Sequence, residues 1–241
     1  MNVQFYVHPS QIESNTVRLQ GAECIHATQV LRLREGDHCV ATDGCGHRYE
    51  LKLVSLTKKE AQAVIVRSES FPKSPVLRGV AMGSLHKKDR MEWALEKAVE
   101  LGVDYFYLYH ADHSERARWK KLRLDQILLS ASKQSKRTWF PELILADNLE
   151  HIKQDAYQRC QGIDLNLWAA HESASLQTKP PEKLKEGCNL FFVGPEGGFS
   201  TNELNWFERE NIPRIFLGDP FTDGGVLRAE TALITILAKY F

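Results

Sequence analysis

The sequence predicts an α/β protein in two parts, a small β-barrel followed by a larger domain built on a parallel sheet. Two observations carry this prediction. Short alternating apolar runs fill the first 70 positions, whereas apolar runs separated by helical patterns follow from residue 76 onward. Between them, 71–75 contains two prolines, which interrupt regular structure. We therefore expect a barrel over 1–72 and an α/β domain over 73–241.

Alternating runs in the N-terminal part predict its strands. They occur at 37–42, 49–55 and 61–66, and Asp43-Gly44 predicts a tight turn after the first of them. One helical pattern, at 22–31, interrupts the runs. Short strands joined by tight turns are typical of a small barrel.

Strands and helices alternate in the C-terminal part. The strands are expected at 76–82, 103–109, near 143, 164–169, 189–193 and 215–218, and the helices at 89–101, 122–136, 149–159, after 200 and at 226–240. Asp89 is expected to cap the first helix and Gly102 to end it. Strands separated by helices of this length pair in parallel. The last helix is so apolar that we expect burial in the core or in a partner chain, and favour the partner.

The amino-acid composition limits the classes of function that the protein can have. The 31 basic and 31 acidic residues balance, so attraction to nucleic acid must come from local clusters. Five cysteines without a C-x-x-C pair, and no apolar signal segment, favour a reduced, cytoplasmic protein. No stretch reaches the roughly 18 apolar residues of a membrane helix. His110 and His113 lack a third ligand at a suitable spacing, so we expect no metal.

Two glycine-bearing loops predict one ligand pocket. Gly194-Pro-Glu-Gly-Gly198 follows one predicted strand and Leu217-Gly218 ends another, and ligands favour the carboxyl edge of such sheets. Ser200 and Glu203 form a capping-box pattern that starts the next helix. The spacing matches neither a phosphate loop nor a dinucleotide fingerprint. The first loop therefore suits a compact ligand with an adenine face or a cationic group, or is a turn without a ligand.

Clusters of cations in the C-terminal part suggest an RNA surface. They lie at 87–90, 116–123 and 133–137. The alternative is structural, because cations in a last helical turn complement the helix dipole and most charge runs are solvated faces.

Five segments together resemble the RsmE family of bacterial methyltransferases, which modify N3 of a uridine in small-subunit ribosomal RNA. The segments are 26–37, 88–103, 134–137, 194–200 and 227–232. The resemblance spans nearly the whole chain. It implies an N-terminal PUA-like RNA-binding barrel, a C-terminal SPOUT-type domain with a trefoil-knotted parallel sheet, S-adenosylmethionine as methyl donor, and a homodimer that acts on ribosomal RNA or the small ribosomal subunit.

The resemblance also implies roles for individual residues. Donor contacts are expected from Leu167, Ala169, Val193, Gly194, Glu196, Gly197, Gly198, Leu217, Gly218, Val226 and Leu227. RNA contacts are expected from Arg32, Arg34, Lys88, Arg90, Arg116, Lys133 and Arg137. Arg228 is expected to stabilise the developing uridine anion and Glu230 to orient Arg228, although such a pair could instead fix the start of a helix.

Three departures from the family pattern leave alternatives open. Residues 219–225 lengthen the loop expected to wrap the donor, Lys136 stands where a glycine is expected, and 113–116 match only in part. The alternatives are a methyltransferase for another RNA nucleotide and a ribosome-assembly factor that binds RNA without a donor.

Overall fold

The protein divides into two compact units. The structure, a computed structural model, describes residues 3–57, 59–114, 119–160, 163–172, 183–218 and 225–241. Unit 1 comprises Met1–Lys73 and Ser132–Phe140, and unit 2 comprises Ser74–Ala131 and Pro141–Phe241. Residues 132–140, which the sequence assigned to the larger domain, therefore belong to unit 1.

Unit 1 is built on a mixed sheet. Its described strands are β1 (Gln4–Tyr6), β2 (Ile12–Glu13), β3 (Thr16–Gln20), β4 (His38–Thr42), β5 (His47–Leu56) and β6 (Glu60–Ser70). The order is β1-β4-β5-β6-β3-β2, with β1 parallel to β4 and the other neighbours antiparallel. The runs of alternating residues thus form strands where the sequence predicted them.

Alternation along β5 explains the core of unit 1. Tyr49, Leu51 and Leu53 are buried, while Glu50 and Lys52 between them are exposed. Since successive side chains point to opposite faces, one face of the sheet is apolar. That face encloses a single apolar cluster to which every strand except β2 contributes a buried residue.

The predicted helix of unit 1 forms in two pieces. Helix α1 (Gly21–Ile25) continues into a π-helical turn at His26–Val30, closed by a bond from the Leu31 N–H to the His26 carbonyl. Arg32 follows with a left-handed backbone (φ 55°). The apolar spacing predicted a helix but not its widening, because a π turn depends on one shifted hydrogen bond rather than on periodicity.

Unit 2 is a parallel sheet with helices on both faces. Its described strands are β7 (Val76–Gly83), β8 (Tyr105–Tyr109), β9 (Glu142–Ala146), β10 (Leu165–Ala170), β11 (Gly187–Val193) and β12 (Arg214–Ile215). Its described helices are α2 (Lys88–Glu100), α3 (Lys121–Gln134, whose last residues belong to unit 1), α4 (Leu149–Cys160), α5 (Thr201–Arg209) and α6 (Ala229–Tyr240). The strand order is β12-β10-β11-β7-β8-β9, all parallel.

Two apolar clusters cover the two faces of this sheet. Phe191 and Val193 of β11 join the cluster with α2, α3 and α6, whereas Leu190 and Phe192 join the one with α4 and α5. Every residue of β8 and β11 is buried as a result. Strands buried on both faces read as continuous apolar runs, which is why the sequence located them well.

Two helix starts differ from the prediction. The N-cap of α2 is Lys87 rather than Asp89, which lies in the first turn where its charge complements the helix dipole. Helix α6 begins at Ala229 with Arg228 as N-cap, three residues later than expected. Leu233 and Ile236 of α6 are buried in the core of unit 2, so the preference for a partner chain was wrong for this face.

Candidate active site

The loop 194–199, here called the glycine wall, is fixed at the carboxyl edge of the sheet. The Gly198 N–H donates to the Pro195 carbonyl at 3.0 Å, and Gly198 has a φ of 70°, which favours glycine. The predicted capping box follows: Ser200 Oγ accepts from the Glu203 N–H at 3.1 Å, and Glu203 Oε2 accepts from the Ser200 N–H at 2.8 Å. The loop therefore ends in a tightly held helix start.

Burial affects the charge of this capping box. Glu203 is buried, and burial raises the pKa of its carboxyl above the ordinary value, with the nearby Asp112 carboxylate acting in the same direction. The bond from the Ser200 N–H opposes the rise. The start of the helix is thus held by a carboxyl group whose ionised form is destabilised by burial.

Two residues from the neighbouring strand ends also hold the glycine wall, His86 through its backbone N–H and His113 through its side chain. The His86 N–H lies 3.2 Å from both Glu196 carboxylate oxygens, and His113 Nδ1 lies 3.0 Å from the Gly197 carbonyl, to which the ring donates. A Cβ on Gly197 would lie 3.0 Å from His113 Cβ. From the sequence, His113 was considered as a metal ligand and not as a support for this loop, although a residue just past β8 at this edge of the sheet was a reasonable candidate for that role.

The glycine wall forms one side of a cavity of about 460 Å³. The opposite side is 226–229, here called the arginine wall. The rest of the lining is formed by Arg90, Ala170, Glu172, Val193 and Ala232. A smaller cavity of about 60 Å³ is lined by Leu217 and Gly218, among others. The two cavities adjoin, because they share the lining residues Ala170, Glu172, Val226, Leu227 and Ala232.

Most residues that the resemblance implies for the donor line one of these cavities. The larger cavity is lined by Val193, Gly194, Glu196, Gly197, Gly198, Val226 and Leu227, and the smaller by Leu217, Gly218, Val226 and Leu227. Leu167 and Ala169 line neither, because alternation along β10 turns both toward the α4 and α5 face. Their neighbour Ala170 takes that place, and the donor contacts themselves stay a prediction.

Arg90, rather than Arg228, is the ion-pair partner of Glu230. Arg90 Nη1 lies 3.6 Å from Glu230 Oε1, and Glu230 Oε2 is buried without a hydrogen-bond partner in the described part of the chain. Within the same residues the exposed Arg228 side chain makes no ion pair. Arg90 and Arg228 both line the larger cavity, so the site holds one anchored arginine and one unanchored arginine.

The candidate RNA contacts fall into two groups. Arg32, Arg34 and Lys88 are exposed and have no ion-pair partner among the residues that the structure describes. Lys133 instead pairs with Glu23, and Arg137 Nε donates to the Trp139 carbonyl at 3.0 Å. Both of these cations therefore make structural contacts within the protein, although the contacts are an ion pair and a hydrogen bond rather than the helix-dipole complementation considered from the sequence.

Three features singled out from the sequence are Arg116, the lengthened loop and Lys136. Arg116 and residues 219–224 of the lengthened loop lie outside the described residues. Lys136 has a left-handed backbone (φ 56°), which explains why a glycine is expected there.

Metal and membrane features are also missing from the described chain. It contains no cluster of three or more metal-ligating side chains around His110 and His113 or elsewhere. No described helix combines the length and the apolar character needed to span a bilayer.

Comparisons with known proteins agree with this geometry. The RNA methyltransferase domain matches residues 72–240, and the RNA methyltransferase PUA domain matches residues 19–66. Ribosomal RNA small subunit methyltransferase E of Bacillus subtilis is 26% identical over 238 residues, covering 94% of this chain and 90% of the relative. The protein of that name from Helicobacter pylori is 26% identical, covering 97% of each chain.

Solved structures agree over nearly the whole chain. Ribosomal RNA small subunit methyltransferase E from Neisseria gonorrhoeae, bound to S-adenosylmethionine, has a TM-score of 0.79 at 24% identity, covering 99% of this chain and 96% of that one. A predicted RNA methyltransferase from Thermotoga maritima has a TM-score of 0.71 at 28% identity, covering 98% and 95%. The fold class is therefore confirmed as an N-terminal PUA-like unit and a C-terminal α/β unit built on a parallel sheet. The chain belongs to the RNA methyltransferase family.

Proposed function

We propose that this protein methylates N3 of a specific uridine in small-subunit ribosomal RNA, with the donor bound between the glycine wall and the arginine wall. The observation that carries the proposal is the cavity of about 460 Å³ with Arg90 and Arg228 in its lining, at the carboxyl edge of a parallel sheet. The names of the relatives, ribosomal RNA small subunit methyltransferase E, support the substrate.

The residues of the cavity fit a sulfonium nucleoside. A Cβ on Gly194 would lie 3.2 Å from the Gly198 carbonyl carbon, so this glycine keeps the loop compact. A Cβ on Gly198 would lie 3.9 Å from Glu172 Oε1, so the lack of a side chain at Gly198 leaves more room in the cavity for a ligand. Apolar side chains of Val226 and Leu227 suit an adenine face. Glu172 and Glu196 bring negative charge toward a cationic ligand. When bound, S-adenosylmethionine supplies a methyl group that is already electrophilic.

The protein then has to position the uridine and favour loss of its N3 proton. Arg228 is the residue we assign to the developing anion, because its guanidinium is unpaired in the described structure and lies on the cavity wall. Arg90, held by Glu230, supplies a second cation on the same cavity. Arg32, Arg34 and Lys88 are proposed to bind RNA phosphates.

Mass spectrometry of ribosomal RNA tests the proposal. Small-subunit RNA from a strain without the gene should lack N3-methyluridine at one position, and the purified protein with S-adenosylmethionine should restore it. Loss of a different modified nucleotide would support the alternative substrate. Absence of any change, with no binding of the donor in calorimetry, would favour the assembly factor without a donor.

We also propose that the enzyme acts as a homodimer in the cytoplasm, as the family resemblance implies. Sedimentation equilibrium should give twice the mass of the 27.5 kDa chain at micromolar concentration. A single-chain mass combined with full activity would contradict the dimer.

A further inference from the structure

Glu172 is a carboxylate of the cavity that has no charge partner among the residues that the structure describes. Its side chain lines both the larger and the smaller cavity, and Oε1 would lie 3.9 Å from a Cβ placed on Gly198. Within the described residues Glu172 makes no ion pair or hydrogen bond. Glu196, the other acid of the lining, differs because both of its oxygens lie 3.2 Å from the His86 N–H.

The charges of the lining give Glu172 a specific role. Arg90 and Arg228 contribute two positive charges, and Glu172 and Glu196 contribute two negative charges. Since Glu230 pairs with Arg90, the cavity carries a net negative charge only while the Glu172 carboxylate is present, and loss of that carboxylate would remove the attraction for a cationic ligand. A carboxylate without a partner in the described part of the chain can compensate a positive charge that arrives with the ligand.

The location of Glu172 indicates which part of the ligand it faces. Five residues are shared by the two cavities, and Glu172 is the charged one among them. A ligand that extends through both cavities passes this junction with its middle. In S-adenosylmethionine the middle is the sulfonium, which joins the adenosyl and amino-acid parts and loses its positive charge when the methyl group is transferred.

We propose that the Glu172 carboxylate binds the sulfonium charge of the donor and so makes the cavity prefer S-adenosylmethionine over the neutral thioether product, S-adenosylhomocysteine. This proposal rests on the proposed donor site. It deepens that function by giving the enzyme an electrostatic means of releasing its product: the attraction ends when the charge leaves with the methyl group. Sequence spacing did not indicate Glu172, which lies just past the end of β10.

Calorimetry on the full-length protein tests the proposal through a ratio of affinities. In the wild type, S-adenosylmethionine should bind more tightly than S-adenosylhomocysteine. Glu172→Gln should weaken the binding of S-adenosylmethionine about threefold to fivefold and that of S-adenosylhomocysteine less than about twofold, the range expected for one exposed charge contact. Glu172→Lys should lower the affinity for S-adenosylmethionine, relative to that for S-adenosylhomocysteine, further than Glu172→Gln does. Because each ratio comes from one preparation, partial loss of folded protein does not change it.

A matched control and two contrary outcomes complete the experiment. Glu208→Gln removes an exposed carboxylate of α5 that lines neither cavity, and should leave the ratio at the wild-type value. Equal weakening of both ligands by Glu172→Gln would overturn the proposal, since the carboxylate would then contact a part common to both. An unchanged ratio would overturn it as well. If the wild type bound neither ligand, the donor site itself would be wrong, which is a separate failure.

Discussion

The two walls of the larger cavity differ in how they are held. The glycine wall is fixed by a turn, a capping box, His86 and His113, and its last residue, Phe199, is buried. The arginine wall is fixed by fewer contacts among the described residues. Val226 is 65% exposed, and within the described part of the chain the Arg228 side chain makes no hydrogen bond that caps α6. The comparison indicates that the two walls have different roles. The glycine wall is preformed and shapes the cavity, whereas the more exposed arginine wall places the positive charge of Arg228 beside the ligand.

Replacing Arg228 tests the arginine wall and should have the largest effect. Arg228→Ala should lower the single-turnover rate of methyl transfer about 100-fold or more, as expected when a donor to a developing anion is lost. Donor affinity, measured by calorimetry, should change much less. Because the side chain is exposed, the melting temperature should stay within a degree or two of wild type. A near wild-type rate would remove Arg228 from the catalytic assignment.

Replacing Gly198 tests the preformed wall. Gly198→Ala forces a residue with a Cβ into a φ of 70°, which costs roughly 1–2 kcal/mol, so unfolding free energy should fall and donor affinity should fall with it. The control is Gly102→Ala, at a φ of 100° with open space around its Cβ and outside both cavities.

The two glycine variants should therefore separate stability from binding. Both should lower the free energy of unfolding in urea, but Gly198→Ala alone should weaken the donor. Equal donor affinity in the two variants would mean that the shape of the glycine wall does not matter to binding.

Removing the Glu230 carboxylate tests whether Arg90 needs its anchor. Glu230→Gln should lower kcat about threefold with little change in donor affinity, since an ion pair of this exposure contributes up to about 1 kcal/mol. The control is Glu92→Gln, which breaks the 2.8 Å ion pair with Arg123 on the same unit but away from the cavity. An equal loss of kcat in both variants would indicate a general effect on structure rather than positioning of Arg90.

The smallest effect is expected at the buried carboxyl that supports the glycine wall. Burial raises the folded-state pKa of Glu203 above its ordinary value of 4.5, so this group favours the folded state below pH 4.5 and loses that contribution as the pH rises through the folded-state pKa. Glu203→Gln keeps an oxygen for the capping box without the charge.

The variant should therefore gain stability relative to wild type as the pH rises. Urea unfolding at pH 4 and pH 8 measures the difference. A gain that is the same at both pH values would mean that the charge of Glu203 is not the cause.

The sequence by itself determined most of the elements and the glycine wall. The alternation in β5, the unbroken apolar run of β11 and the pair Ser200 and Glu203 are local patterns, and local patterns are decided by residues a few positions apart. The family resemblance added the donor and the RNA substrate, neither of which periodicity could indicate.

Only the tertiary structure decided which side chains meet. Glu230 contacts Arg90 on α2 rather than Arg228 two residues away, and Glu172 comes to border both cavities. Residues 132–140 join unit 1, although α3 starts in unit 2. Each of these outcomes depends on contacts between residues far apart in the chain, which a pattern of neighbouring residues does not encode.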